Sequence, residues 1–217
     1  MANRLINKVE APALPIPPER NILRTYLDDL NNILRLFFNR LANNINLLTG
    51  EYGGQFVEVP NGLFFSTTDQ PIAVINTAQV VSFENTYLSE AVTINGGSNS
   101  QITATYSGIY NFQFVAQAVS NSASSKNVYV WIRRDGTDIN YSARHLVLSG
   151  SNDSNDIAWS FNIDLQAGSY IEMMWSSDDI DTKLDFEAAA TPHPGEPSAV
   201  ITVTFVSVLP ETLPTPP

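Results

Sequence analysis

The sequence predicts a mainly β protein, a jelly-roll β-sandwich preceded by one long N-terminal helix and an extended proline-rich arm. Three patterns follow one another along the chain: a proline-rich run over 9–18, apolar residues at alternating spacings of four and three from Leu23, and alternation with turn punctuation from Phe56. The second pattern is typical of a helix that packs along a seam, and the third of half-buried strands. The predicted parts are an arm (1–18), a helix (19–50), a jelly-roll domain (53–208) and a proline-rich tail (209–217).

The composition indicates a folded protein without cysteine chemistry. Hydrophobic residues make up 43 % of the 217, and the absence of cysteine excludes disulfides and thiolate metal sites. The start, Met1–Lys8, lacks the apolar core of a signal peptide, and no run approaches the roughly 20 apolar residues of a membrane span. We therefore expect a protein made in a cytoplasm, with no membrane insertion.

Charge is unevenly divided between the two halves of the chain. Residues 1–50 carry six Lys or Arg and four Asp or Glu, a net of +2, whereas residues 51–217 carry five and eighteen, a net of −13, giving −11 in total. An acidic surface repels phosphate backbones, so the β domain is not expected to bind nucleic acid.

The proline-rich arm is predicted to be extended, because proline fixes φ and removes backbone donors. Its apolar residues would anchor the chain to a partner protein: Val9, Leu14, Pro15 and Ile16. A leader without any partner is the alternative interpretation.

The helix is predicted to begin near Pro18–Asn21 and to end at Gly50, and its heptad seam is the candidate oligomerisation surface. The a and d positions are Leu23, Leu27, Leu30, Leu34, Phe37, Leu41, Asn44 and Leu48. Flanking apolar residues widen the stripe beyond a two-stranded seam, which favours three or more helices. The alternative is a single amphipathic helix packed on its own β domain.

The β domain is predicted to contain many short strands and no second helix. The predicted strands are 56–59, 62–65, 71–76, 79–83, 90–94, 101–106, 109–119, 127–133, 144–148, 157–165, 169–176, 183–187 and 199–208, with a hairpin turn at Asp135-Gly136. This spacing is typical of a sandwich. Alternation over 109–114 places Tyr110, Phe112 and Phe114 on one face, where they would either fill the core of one chain or form contacts between chains.

Three stretches resemble the trimeric jelly roll of the complement-globular-head and tumour-necrosis-factor-like superfamily. Gly108, Tyr110 and Phe112 match its G-x-Y-x-F strand, Asn127–Gly136 its strand and turn, and Ile163–Ile171 its l-x-L-x-x-G-d-x-v hairpin. The likeness covers roughly 70–208 and departs at Ser169, where the family has an acidic residue, and in the long 177–197 loop. It implies a homotrimer in which aromatic residues of one sheet, here Tyr110, Phe112 and Phe114, build the threefold interface.

The N-terminal part resembles a second group of proteins. Residues 12–48, with Leu14-Pro-Ile-Pro-Pro18 followed by Asn31–Asn39, are similar to the start of small virion structural proteins of aquatic tailed bacteriophages. This resemblance implies a surface fibre or spike, anchored to a capsid or tail protein by its arm and helix, with the jelly roll exposed for host contact. The alternatives are a capsid decoration protein and a soluble lectin-like or cytokine-like binding module.

Catalytic and metal-binding patterns are sparse, and we expect no enzyme activity and no required cofactor. His145 and His193 show no ligand spacing, and no nucleophile elbow or phosphate loop occurs. The acidic run with Asp178, Asp179 and Asp181 is the one candidate calcium site, because hard cations take several oxygen ligands. A solvated acidic loop is the alternative.

Carbohydrate binding is the remaining candidate function, with a host-surface glycan as the partner. Trp131, Trp159 and Trp175 all fall in predicted strands, where burial is expected, so an aromatic residue on a loop, such as Tyr87 or Tyr141, would suit a glycan better.

Overall fold

The computed structural model describes residues 23–49, 59–95, 97 and 99–209, and the chain divides into two compact units, Met1–Glu58 and Val59–Pro217. The first unit contains the helix α1, Leu23–Thr49. The arm with Val9, Leu14, Pro15 and Ile16, the tail beyond Leu209, and the side chains of Leu23 and Leu48 lie outside the described residues. Within those residues, no helix is long and apolar enough to cross a membrane.

In the described part of the second unit the regular elements are all strands, as predicted. The fourteen strands are β1 Asn61–Ser66, β2 Gln70–Pro71, β3 Gln79–Val80, β4 Asn85–Glu90, β5 Val92–Asn95, β6 Gln101–Ala104, β7 Gly108–Ser120, β8 Lys126–Arg134, β9 Thr137–Asp138, β10 Arg144–Leu148, β11 Asp153–Leu165, β12 Tyr170–Ser177, β13 Thr182–Leu184 and β14 Ala199–Ser207. The predicted fold class, a mainly β jelly-roll sandwich with one helix, is confirmed.

The strands form two antiparallel sheets that face each other. In sheet A the main order is β4-β1-β14-β7-β11, with β13 and β2 continuing beside one end of β7. In sheet B it is β5-β6-β12-β8-β10, with β3 beside β12 and β9 beside β8. From β6 onward most connections pass from one sheet to the other, which is the winding of a jelly roll.

Alternation in the long strands separates the core from the surface. Along β7 every second residue from Gly108 to Ser120 is buried, and β8 and β14 show the same period over most of their length, whereas β12 is buried continuously from Ile171 to Trp175. The hydroxyl of Tyr110 is drawn into this core and donates a hydrogen bond to the carbonyl of Tyr106 at 2.7 Å. Burial raises the pKa of Tyr110, because the charged phenolate would be poorly solvated there.

Short strands differ most from the prediction. The predicted strand 71–76 is wrong beyond Pro71: Ile72 enters the core, but Val74 and Ile75 are exposed, and Asn76 has a φ of 53°. Strand β4 covers Asn85–Glu90, most of which was predicted as a connection. Most of the predicted strand 56–59 lies outside the described residues.

Candidate assembly surfaces and polar clusters

The apolar stripe of α1 is partly exposed to solvent. Of the described seam residues, Leu27 is exposed at 46 %, and the others are half-buried: Leu30, Leu34, Phe37, Leu41 and Asn44. Phe38 is exposed at 58 % and meets Phe37 edge-to-face at 5.6 Å. Among the described helix side chains none is fully buried, so the stripe offers apolar area to a partner.

The prediction that Tyr110, Phe112 and Phe114 form contacts between chains is wrong. Their exposures are 0 %, 0 % and 1 % within a single chain, so they cannot touch a second one. Phe112 stacks on Phe161 with ring centroids 5.4 Å apart, and Phe114 meets Trp159 edge-to-face at the same distance. The large rings of β7 point inward because the space between two sheets is filled by bulky side chains.

The opposite side of the same strands forms a surface that we call the uncharged face. It comprises ten outward residues of β7, β14 and β1: Ile109, Asn111, Gln113, Val115, Val200, Thr202, Thr204, Val206, Leu63 and Phe65. Across β7 and β14 the register places Val115 beside Val200 and Gln113 beside Thr202. None of these ten residues carries a charge, although Asp164 on the neighbouring strand β11 pairs with Ile109 and residues 51–217 as a whole have a net charge of −13.

Hydrogen bonds between side chains order the polar part of this face. The amide of Asn111 donates to Oγ of Ser160 at 3.0 Å and to Oδ1 of Asn162 at 2.8 Å, both on β11. Val115 is 43 % exposed and lies beside Val200 in the end row of this face. Apolar side chains surrounded by fixed amides and hydroxyls, with no charge, are typical of the core of a protein–protein interface.

A second open surface lies where the sandwich ends between β10 and β11, and we call it the edge cleft. Its volume is about 210 Å³, and its floor includes the half-buried rings of Trp159 and Phe161. At its rim Tyr141 is fully exposed at 104 % and has a φ of 64°, a left-handed conformation that costs a bulky residue free energy. The cleft is a place where core side chains of one chain reach solvent.

The acidic loop does not gather its carboxylates around a common point. Asp178 accepts hydrogen bonds from the backbone N–H and from Nδ2 of Asn127, at 2.8 and 2.6 Å, while Asp179 accepts one from the N–H of Asp181 at 2.8 Å. In the described part of the chain, no group of three His, Cys, Asp or Glu residues could hold a metal ion. A rise in melting temperature on adding millimolar calcium remains the measurement that would demonstrate binding.

Asp178 has a structural partner that the sequence did not reveal. Partial burial raises the pKa of its carboxyl, but the two hydrogen bonds from Asn127 outweigh that effect and hold the pKa below the ordinary value of 3.8. Its stabilising contribution is therefore complete above about pH 4, and it is lost as the pH falls through the lowered folded-state pKa.

We expect Asp178→Asn to lower the melting temperature at neutral pH, and this difference from the wild type to shrink as the pH falls below the ordinary carboxyl value of 3.8 and the carboxylate is protonated. Thermal unfolding followed by circular dichroism across this range provides the check. A difference that stays constant with pH would mean that the carboxylate charge is not what stabilises the loop.

The histidines and the remaining aromatic candidates are distributed over several surfaces. His145 lies on the outer side of sheet B with Nε2 2.8 Å from Oδ1 of Asn127, whereas Nδ1 of His193 lies 3.1 Å from the carbonyl of Pro194. Trp175 is buried at 1 %, Trp131 is half-buried on the outer side of β8, and Tyr87 is 73 % exposed. The structure thus brings His145 and Asp178 to the same amide, which no sequence spacing indicated.

Comparisons with known proteins return likenesses of fold only. No family model matches the sequence, and no curated protein matches it. The globular domain of a zebrafish complement 1qA protein covers 70 % of this chain and 100 % of its own length, at 13 % identity and a TM-score of 0.45. Eiger TNF from S. frugiperda covers 73 % and 99 %, at 9 % identity and a TM-score of 0.47. The jelly-roll assignment rests on the strand order and pairing above.

Proposed function

We propose that this chain is a non-enzymatic structural protein of a bacteriophage particle. In this proposal it is a homotrimeric fibre or spike, anchored by its arm and helix, with the jelly roll at the virion surface for host contact. The observation that carries the assembly is the uncharged face on a domain whose net charge is −13. The resemblance of residues 12–48 to phage virion proteins supports the attachment and the location.

Electrostatics favours a second copy as the partner of the uncharged face. Copies of an acidic domain repel each other wherever their carboxylates meet, and like charges brought together cost several kcal/mol. Contact is least unfavourable through surfaces that carry no charge. Val115 of β7 and Val200 of β14 lie side by side in such a surface and contribute exposed apolar area to it.

The uncharged face and the edge cleft are unlike surfaces, so a contact between them joins a head to a tail. Such heterologous contacts form closed rings when the rotation between subunits closes. The edge cleft of each copy would then pack on the uncharged face of the next copy. This contact would cover the half-buried rings of Trp159 and Phe161. Three copies agree with the resemblance to the trimeric superfamily and with the wide apolar stripe of α1.

A charge placed on the uncharged face should weaken the trimer. Three copies of the 23.8 kDa chain would have a mass of about 71 kDa, measurable by light scattering after size exclusion. We expect Val115→Asp to raise the concentration of half-dissociation at least tenfold, because its carboxylate would be buried unpaired. Val147→Asp is the matched control, since Val147 is also 43 % exposed but lies on the outer side of sheet B.

A monomeric wild-type chain at micromolar concentration would contradict the assembly. Equal dissociation of the two variants would show instead that the uncharged face is not the contact. A fibre further predicts that the purified chain binds host cells and competes with infection. A decoration protein predicts no such binding, and particles that lose stability when the chain is missing.

A further inference from the structure

The outer side of sheet B carries three aromatic rings on adjacent strands, which we call the aromatic cluster: Tyr129, Trp131 and His145. Tyr129 and Trp131 are two residues apart on β8, so they share a face at roughly 7 Å spacing. His145 on β10 pairs with Tyr129 across the strands, and the two rings stack with centroids 4.6 Å apart and planes at 13°. Tyr129 is 42 % exposed, and His145 is exposed.

Polar neighbours hold these rings in place. Nε2 of His145 lies 2.8 Å from Oδ1 of Asn127, and the amide nitrogen of Asn127 donates to Asp178 at 2.6 Å. The Asp138 carboxylate accepts a hydrogen bond from Nε of Arg133 at 2.8 Å. A ligand would therefore meet rings that are already oriented, which lowers the entropy cost of binding.

The directions of these hydrogen bonds determine which donors and acceptors stay available to a ligand. A carboxylate can only accept, so the nitrogen of the Asn127 amide must face Asp178 and its oxygen must face His145. Nε2 of His145 then carries the hydrogen, and in that tautomer Nδ1 is an acceptor. Within the described residues, neither that nitrogen nor the hydroxyl of Tyr129 makes a hydrogen bond.

We propose that the aromatic cluster, together with Asn127 and Asp178, binds a neutral sugar. Fixed acceptors at His145 and Asp178 fit the hydroxyl hydrogens of a carbohydrate, while the rings offer flat apolar faces to its C–H groups. The same acceptors, on a domain of net charge −13, repel sulfated or sialylated glycans.

This inference rests on the proposed function, since it names the kind of molecule that the exposed domain would contact on a host. If the uncharged face of sheet A holds neighbouring copies, the aromatic cluster lies on the other sheet. Assembly and sugar binding would then use opposite sides of the domain. The two can therefore fail separately.

The test uses the full-length chain on a printed array of neutral, sialylated and sulfated oligosaccharides, followed by calorimetric titration with the neutral oligosaccharide that binds best. We expect binding to neutral glycans. Tyr129→Ala should abolish it, and Asp178→Asn should weaken it about tenfold, because an acceptor is replaced and one hydrogen bond is lost. Tyr87→Ala, which removes an exposed tyrosine from sheet A, should bind as the wild type does.

Circular dichroism and light scattering on the same samples establish that each variant is folded and give its mass. A trimer that binds no neutral glycan, or that prefers acidic glycans or a lysine-rich peptide, would overturn the inference and leave the assembly intact. Wild-type affinity in Tyr129→Ala would overturn it as well. A monomer that binds sugar would contradict the assembly alone.

Discussion

Phe112→Ala should lower the free energy of unfolding by about 3–5 kcal/mol, the largest effect that we expect from a single substitution. Phe112 is fully buried, stacks on Phe161 at 5.4 Å, and lies in register between Phe161 of β11 and Val203 of β14. Its removal leaves a cavity at the centre of sheet A, where both neighbours are fixed by strand pairing. A domain with a typical stability of about 5–15 kcal/mol would lose a large part of it.

The measurement is chemical denaturation at two protein concentrations tenfold apart, with Tyr87→Ala as the surface control. If Phe112 is a core residue, the loss in unfolding free energy is the same at both concentrations. If it contacted a second chain, the variant would change the concentration dependence, because dissociation and unfolding are coupled in an oligomer. A loss below about 1 kcal/mol would mean that the site collapses around the cavity.

The case of Phe112 shows how far alternation in a sequence can be interpreted. The period of two over 109–114 correctly separates two faces of β7. It does not say which face turns inward, since that depends on the second sheet. Here the size of the side chains decides which face turns inward. The large rings fill the space between the sheets, and the amides and valines of β7 remain outside. In the proposed trimer, the contacts between chains are therefore made by the outward neighbours of Tyr110, Phe112 and Phe114.

Local signals were reliable where the backbone itself is constrained. The Asp135-Gly136 turn is confirmed by φ angles of 47° and 79°, both positive, as a two-residue hairpin turn requires. The strand prediction for 71–76 was wrong because it relied only on the β-propensity of the apolar residues there. Only Ile72 finds a place in the core, and the chain turns at Asn76.

Long-range pairing is what the sequence could not supply. His145 and Asp178 are singled out separately in the sequence, and they meet only because β8 pairs with both β10 and β12. Asn127, which links them, carries no motif of its own. The uncharged face is similarly invisible until β14 is placed beside β7, since each of these two strands contributes only four of its residues.

Lys126→Ala should lower the free energy of unfolding by about 2–4 kcal/mol, although the side chain forms no ion pair within the described residues. Lys126 is 0 % exposed at the start of β8, and its ammonium group donates to the carbonyls of Ser122 and Gly150, the latter at 3.1 Å. These carbonyls belong to the β7–β8 and β10–β11 connections. The lysine thus ties two loops at one end of the sandwich, and without it both acceptors lose their charged donor.

Two further substitutions separate the contribution of the charged hydrogen bonds from that of the buried alkyl stem, and compare a buried lysine with a surface one. Lys126→Met keeps most of the buried stem, removes the donors and removes the cost of burying a charge, so we expect a smaller loss of about 1–2 kcal/mol. Lys183→Met removes a lysine that bridges Asp69 and Asp185 at the surface, where its side chain is 30 % exposed. Solvent screening limits that loss to about 1 kcal/mol. If Lys126→Met were neutral or stabilising, the cost of burying the ammonium would exceed what its two hydrogen bonds contribute, and the tie between the loops would not be a source of stability.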